Sequence, residues 1–132
     1  MNRKKWVSLC LAAALLCLLF AACTASSVVK IGYAGTETSN SWKGRFKSYN
    51  GYETKRIFAP KEAQTLRLRF RLDDETGALR FRVEKDGAEC FDPGEVREGT
   101  WEALLVPGAK YALRLSGEQA KNGSFALEWA FE

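Results

Sequence analysis

This chain of 132 residues contains no histidine. Neither a Ser-His-Asp or Cys-His arrangement nor a His-based zinc site can therefore be assembled from it. Four cysteines are present, Cys10, Cys17, Cys23 and Cys90, and only Cys90 lies in the body of the chain. With Glu89 beside it and Asp92 two residues on, it is a poor nucleophile if those carboxylates are close, because they raise a thiol pKa. It reads as a small buried hydrophobe. Sixteen acidic residues offer many carboxylate pairs of the kind glycoside hydrolysis needs. A small all-β domain has little room for a cleft that encloses a sugar, so a small hydrolase is only a distant alternative. Asp73-Asp74-Glu75 lacks the alternation of a calcium loop and reads as a solvated turn. No metal, cofactor or catalytic set is expected.

Two groupings could bind rather than react. Trp42, Phe46, Tyr49, Tyr52 and Phe58 cluster along one stretch. Trp42, Tyr49 and Tyr52 are candidates for stacking on sugar rings, with cross-strand aromatic packing as the structural alternative. Arg69, Arg71, Arg80 and Arg82 are candidates for an anion: a phospholipid headgroup, a cell-wall polymer or an acidic surface protein. Near-neutral charge beyond residue 22, with 17 basic and 16 acidic residues, disfavours nucleic acid.

At the N-terminus, Arg3, Lys4 and Lys5 precede an uncharged run from Trp6 to Ala22, closed by Leu19-Phe20-Ala21-Ala22-Cys23. Basic, then apolar, then small residues form a secretory signal. With Cys23 directly after two alanines it resembles a bacterial lipoprotein signal. Phe20 stands where that pattern prefers Leu. The resemblance implies cleavage before Cys23 and thioether lipidation of Cys23 by a diacylglyceryl group carrying palmitate-type chains. The product would be a lipoprotein anchored in the cell membrane and facing its extracytoplasmic side. Simple secretion with cleavage after Ala25, or a retained helix, are the alternatives. The apolar run falls just short of the roughly 20 residues a membrane span needs.

The elements that must position the binding candidates follow from period-two alternation. Leu66, Leu68, Phe70 and Leu72 alternate with arginines, as do Leu79, Phe81 and Val83. With Asp73 to Gly77 as a turn, they predict a hairpin in which Arg71 faces Arg80, Arg69 faces Arg82 and Arg67 meets Glu84. Directly opposed like charges are unfavourable, so Glu102 or Glu128 from a neighbouring strand, or an anionic ligand, is expected to offset them. Tyr111, Leu113 and Leu115 predict a second hairpin with Phe125, Leu127, Trp129 and Phe131, turning at Gly117 to Gly123. Asn50-Gly51 predicts a tight hairpin turn and Pro107-Gly108 a type II turn. Both phases of Trp101 to Val106 are partly apolar, as for a strand covered on both sides. The run Pro107 to Leu115, with Gly123-Ser124-Phe125 and Trp129, resembles the last hairpin of small bacterial lipoprotein and carbohydrate-binding-like sandwiches, which implies a fold and no activity.

Seven to nine strands with no convincing helix predict one antiparallel β-sandwich, Greek-key or jelly-roll-like. The organisation expected is a signal at 1–22, lipidated Cys23 and a polar tether at 23–41 holding at most a short edge strand, and a sandwich at 42–132. The function expected is non-catalytic binding or interaction at the cell surface, with a carbohydrate-binding module as the alternative.

Overall fold

The structure is a computed structural model that describes residues 27–132. The signal segment and Cys23 lie outside the described residues. Among the described residues there are eight strands: β1 (Ser27–Ile31), β2 (Ala34–Glu37), β3 (Ser41–Ile57), β4 (Thr65–Asp73), β5 (Leu79–Lys85), β6 (Ala88–Phe91), β7 (Glu98–Leu104) and β8 (Tyr111–Phe131). All pairings are antiparallel, and no helix occurs among the described residues. The expected all-β sandwich is what the chain forms. β1 occupies the Val28–Ile31 stretch foreseen as an edge strand. With β2 it carries the sandwich into residues expected to be tether.

Hydrogen bonding is continuous through the eight strands, but β3 and β8 each serve both layers. The first half of β3 pairs with β2 and with the last part of β8, whose other side pairs with β4, and β4 with β7. We call this layer the front sheet. The second half of β3 pairs with β1 and with the first part of β8, whose other side pairs with β5, and β5 with β6. This is the back sheet.

The crossing point is Asn50-Gly51, which is therefore a bend inside a continuous strand and not a hairpin turn. The register slips between Tyr49 and Gly51, giving β8 an extra residue there, and such bulges bend and twist a strand. Gly51 has φ +115°, and a Cβ on it would lie 2.1 Å from the Ser27 carbonyl oxygen. Opposite it, the expected turn at Gly117 to Gly123 is also strand, bent through Gln119 (φ 53°) and Asn122 (φ 46°). The Gln119 amide donates to Asn50 Oδ1 at 3.1 Å, tying the two bends together.

The same logic overturns the first expected hairpin. β4 and β5 belong to different sheets, so Asp73 to Gly77 is an arch from front to back. The alternation was read correctly, because all seven apolar residues from Leu66 to Val83 point inward and are buried. Their partners are different. Phe70 meets Phe81 across the sandwich, with ring centroids 4.9 Å apart, and not side by side in one sheet. Asp74 braces the arch by accepting from Thr76 Oγ1 at 2.8 Å and the Ala78 amide at 3.0 Å. Its other oxygen pairs with Arg97, which also donates to the Leu79 carbonyl at 2.7 Å.

Leu113, Leu127 and Trp129 join the same core, as the alternation requires. Two open-side positions differ from expectation. Cys90 is exposed on edge strand β6, where partial desolvation still pushes its thiol pKa up. β7 is an edge strand covered on one side only: Trp101 packs inward against Phe91, with ring centroids 4.8 Å apart, while Leu104 is 80% exposed.

Candidate functional site

The four arginines do not form one ladder. Arg69 and Arg71 stand on the outer face of the front sheet, and Arg80 and Arg82 on the outer face of the back sheet. On the front face each arginine of β4 stands across from a glutamate, two of them the acids the sequence suggested. Arg67 pairs with Glu102 at 2.7 Å instead of Glu84. Arg69 stands opposite Glu128 and Arg71 opposite Glu98. Lys43 reaches Glu128 at 2.7 Å and, by hydrogen bond and charge, holds its carboxyl below the usual carboxylate range. A like-charge opposition does exist on the back face, between Arg82 and Arg114.

The aromatic candidates also separate. Trp42 and Tyr49 are buried and cannot offer a face to a ligand. Their positions on β3 point between the sheets, Trp42 edge-on to Phe125. Tyr49 Oη donates to Glu53 Oε1 at 3.1 Å, and Glu53 pairs with Lys30 at 3.0 Å. Burial first, then the Glu53 carboxylate, raises the Tyr49 phenol pKa strongly. Tyr52 alone faces outward, and its ring carries the Arg114 guanidinium at 4.1 Å.

Among the described residues, a concavity lies at one end of the sandwich, where the chain passes from β3 to β4 and from β7 to β8. It is a cleft of about 520 Å³ between residues 56–63 and 105–111. Its floor includes buried Ile57 and Tyr111. One wall is the Pro107-Gly108 turn, which forms as expected: Gly108 has φ 80° and the Ala109 amide donates to the Val106 carbonyl at 3.1 Å. Tyr111 Oη accepts from the Val106 amide at 3.0 Å, so a core residue fixes that wall. Phe58, 78% exposed, and Val106, 49% exposed, are its large exposed apolar side chains. The ionisable groups lining it are Arg56, Lys61, Lys110 and Tyr111, with no carboxylate among them.

Sequence reasoning placed Phe58 in the aromatic group but not at this site. The available signal was its position: directly after the last alternating residue of β3 and two before Pro60, where burial is no longer enforced. The Asp86-Gly87 pair beside the cleft was a stronger missed signal. It makes the β5–β6 hairpin with φ 51° and 81°, values suited to a type I′ turn. The Asp86 carboxylate accepts from the Lys110 amide at 2.9 Å.

Among the described residues, no group of three or more His, Cys, Asp or Glu is placed to hold a metal ion. No protein-family model matches the chain, and no curated protein sequence matches it. Solved structures resemble it at low similarity. A family 35 carbohydrate-binding module from Paenibacillus barcinonensis is 12% identical with a TM-score of 0.40, over 79% of this chain and 98% of that one. One from Clostridium thermocellum is 16% identical with a TM-score of 0.36, over 75% and 90%. The β-glucosidase of Kluyveromyces marxianus in complex with glucose is 13% identical with a TM-score of 0.39 over 70% of this chain, which spans 10% of that enzyme. The antiparallel sandwich assignment itself rests on the strand pairing described above.

Proposed function

We propose that this protein is a non-catalytic glycan-binding module, held at an extracytoplasmic membrane surface by a lipid on Cys23, and that the end cleft is its binding site. The observation that carries the reading is Phe58. A large aromatic ring left 78% exposed beside a preformed apolar cleft is a stacking platform for the C–H face of a pyranose. Arg56, Lys61 and Lys110 supply hydrogen-bond donors around it for hydroxyl and carboxylate oxygens. Few polar groups around an apolar concavity is the usual composition of a small-ligand site. The site is open and lies on connecting segments held by a rigid sandwich, which suits one or two residues of a longer chain.

The test is a glycan array probed with the full chain in detergent, followed by Phe58→Ala. Loss of the stacked ring is expected to weaken binding about tenfold, roughly 1.4 kcal/mol. Stability should stay within about 0.5 kcal/mol, as for exposed positions. A variant that binds the same glycan as tightly as the parent would eliminate the cleft as the site. Absence of any retained glycan would eliminate the function.

The anchor is tested separately. Cys23→Ala is expected to lose detergent-phase partitioning and to move into the soluble fraction, because two acyl chains are what make such attachment stable. Unchanged membrane retention would mean that the apolar N-terminal run stays in the bilayer instead.

A further inference from the structure

We infer that the outer face of the back sheet is a membrane-facing surface that engages anionic phospholipid headgroups. This rests on the lipid-anchor reading of Cys23 and extends it from a tether to an orientation. The two outer faces of the sandwich differ in kind. On the front face the arginines of β4 each stand across from a glutamate, and Arg67 forms an ion pair with its partner Glu102. On the back face Arg82 stands directly opposite Arg114. Both carboxylates that reach an arginine here, Glu84 and Glu89, reach the same one, Arg82. Arg114 lies over the Tyr52 ring instead of against a carboxylate. Arg80 gives its hydrogen bonds to the Gly77 and Leu79 carbonyls. Guanidinium groups in this state suit phosphate, which accepts their planar fork of donors.

The apolar part of the face lies along β1. Val29 and Ile31, opposite Asn50 and Ser48 in the register, point to the same side as Tyr52 and are 63% and 58% exposed. An edge strand that presents two β-branched apolar residues beside Tyr52 and a row of arginines matches the interfacial zone of a bilayer. There apolar side chains, amphipathic rings and cations each have a favoured depth.

Chain length supplies the second argument. Ser27 pairs with Tyr52, and Cys23 precedes Ser27 by four residue steps, at most about 14 Å when extended. Tyr52 shares a row with Ser116 and Arg80, and neighbouring strands are about 4.8 Å apart. A lipid on Cys23 therefore keeps this face within a few nanometres of the headgroups.

Hydroxyl-radical footprinting of the full chain tests this, in detergent micelles, in phosphatidylcholine vesicles and in vesicles that also contain phosphatidylglycerol. Intact mass reports the acyl chains on Cys23 independently. Oxidation of Tyr52 and Ile31 is expected to fall about threefold in the anionic vesicles. It should recover at high salt, while exposed Leu104 on the front-sheet edge reacts equally throughout. Arg114→Gln should abolish the protection. Ile31→Glu, at an exposed position that does not threaten folding, should do the same. Equal oxidation in micelles and anionic vesicles, on protein whose Cys23 carries its lipid, overturns the docking face while leaving the anchor intact. Protection that is identical in neutral vesicles and indifferent to Arg114→Gln overturns the recognition of anionic headgroups. If the mass lacks acyl chains, added phosphatidylglycerol vesicles still decide: protection of Tyr52 upholds the face, and none overturns it.

Discussion

Phe70→Ala is expected to destabilise the protein by about 3–5 kcal/mol, the range for truncating a buried aromatic. The ring sits at the centre of the sandwich, 3% exposed. It meets Phe81 from the back sheet at 4.9 Å and Phe91 from β6 at 6.1 Å between centroids. In its own sheet it stands opposite Leu127 and Gly99. A Cβ on Gly99 would lie 3.0 Å from the Phe70 ring, so the neighbouring strand has given up a side chain to make room. Little around the ring can collapse inward, because the walls are two hydrogen-bonded sheets. The cost should therefore fall in the upper part of the range. Urea unfolding monitored by tryptophan fluorescence measures it as a shift in midpoint at constant slope. Phe81→Ala should cost a similar amount, and the double variant less than the sum, since the second truncation enlarges an existing cavity. Additive losses would mean that the two rings do not face each other.

The other large effect concerns the arch between β4 and β5. Arg97→Met is expected to cost about 3 kcal/mol, the low end of the range for breaking a buried ion pair. The carboxylate of Asp74 is fully enclosed, with 0% side-chain exposure, whereas Arg97 retains 31%. Removing the cation leaves a negative charge with only the Thr76 hydroxyl and the Ala78 amide for partners. Water reaching the Arg97 side moderates the loss, which sets the estimate at the low end. Arg97 also loses its bond to the Leu79 carbonyl, loosening the first residue of β5. The measurement is again a urea midpoint, taken at low and high salt. A buried pair should give nearly the same loss at both. A loss that vanishes at high salt, or stays below about 0.5 kcal/mol, would identify a surface pair and remove the arch clamp.

These two predictions bear on what alternation can and cannot reveal. A period of two identifies which side chains face inward, because successive Cβ atoms leave a strand on opposite sides. Leu66 to Leu72, Leu79 to Val83 and Phe125 to Trp129 were assignable to the core on that ground alone. So were the strand class, the Pro107-Gly108 turn, and the need of the β4 arginines for Glu102 and Glu128. The outward-facing Tyr52 and the exposed Phe58 both belong to the aromatic group read from the sequence. Their accessibility was not readable, because an aromatic on a strand satisfies the same pattern inside or out.

Chain sequence determined the inward face of the strands and the Pro107-Gly108 turn. Only tertiary structure decided which sheet each strand joined. A five-residue link between two inward-facing strands, such as Asp73 to Gly77, serves a hairpin and an arch equally well. In both, Phe70 and Phe81 end up buried together. The choice was made by distant groups: the Asp74–Arg97 pair, and Gly123, where a Cβ would lie 2.4 Å from the Asp73 carbonyl oxygen. The same holds for Asn50-Gly51. Its φ preferences permit a turn or a bulge, and the close approach of the Ser27 carbonyl to Gly51 made it a bend. Because those choices send Arg69 and Arg71 to one outer face and Arg80 and Arg82 to the other, no reading of local pattern could have placed the charged surface. Its location depends on contacts between residues far apart in the chain, and the one-dimensional alternation is blind to them.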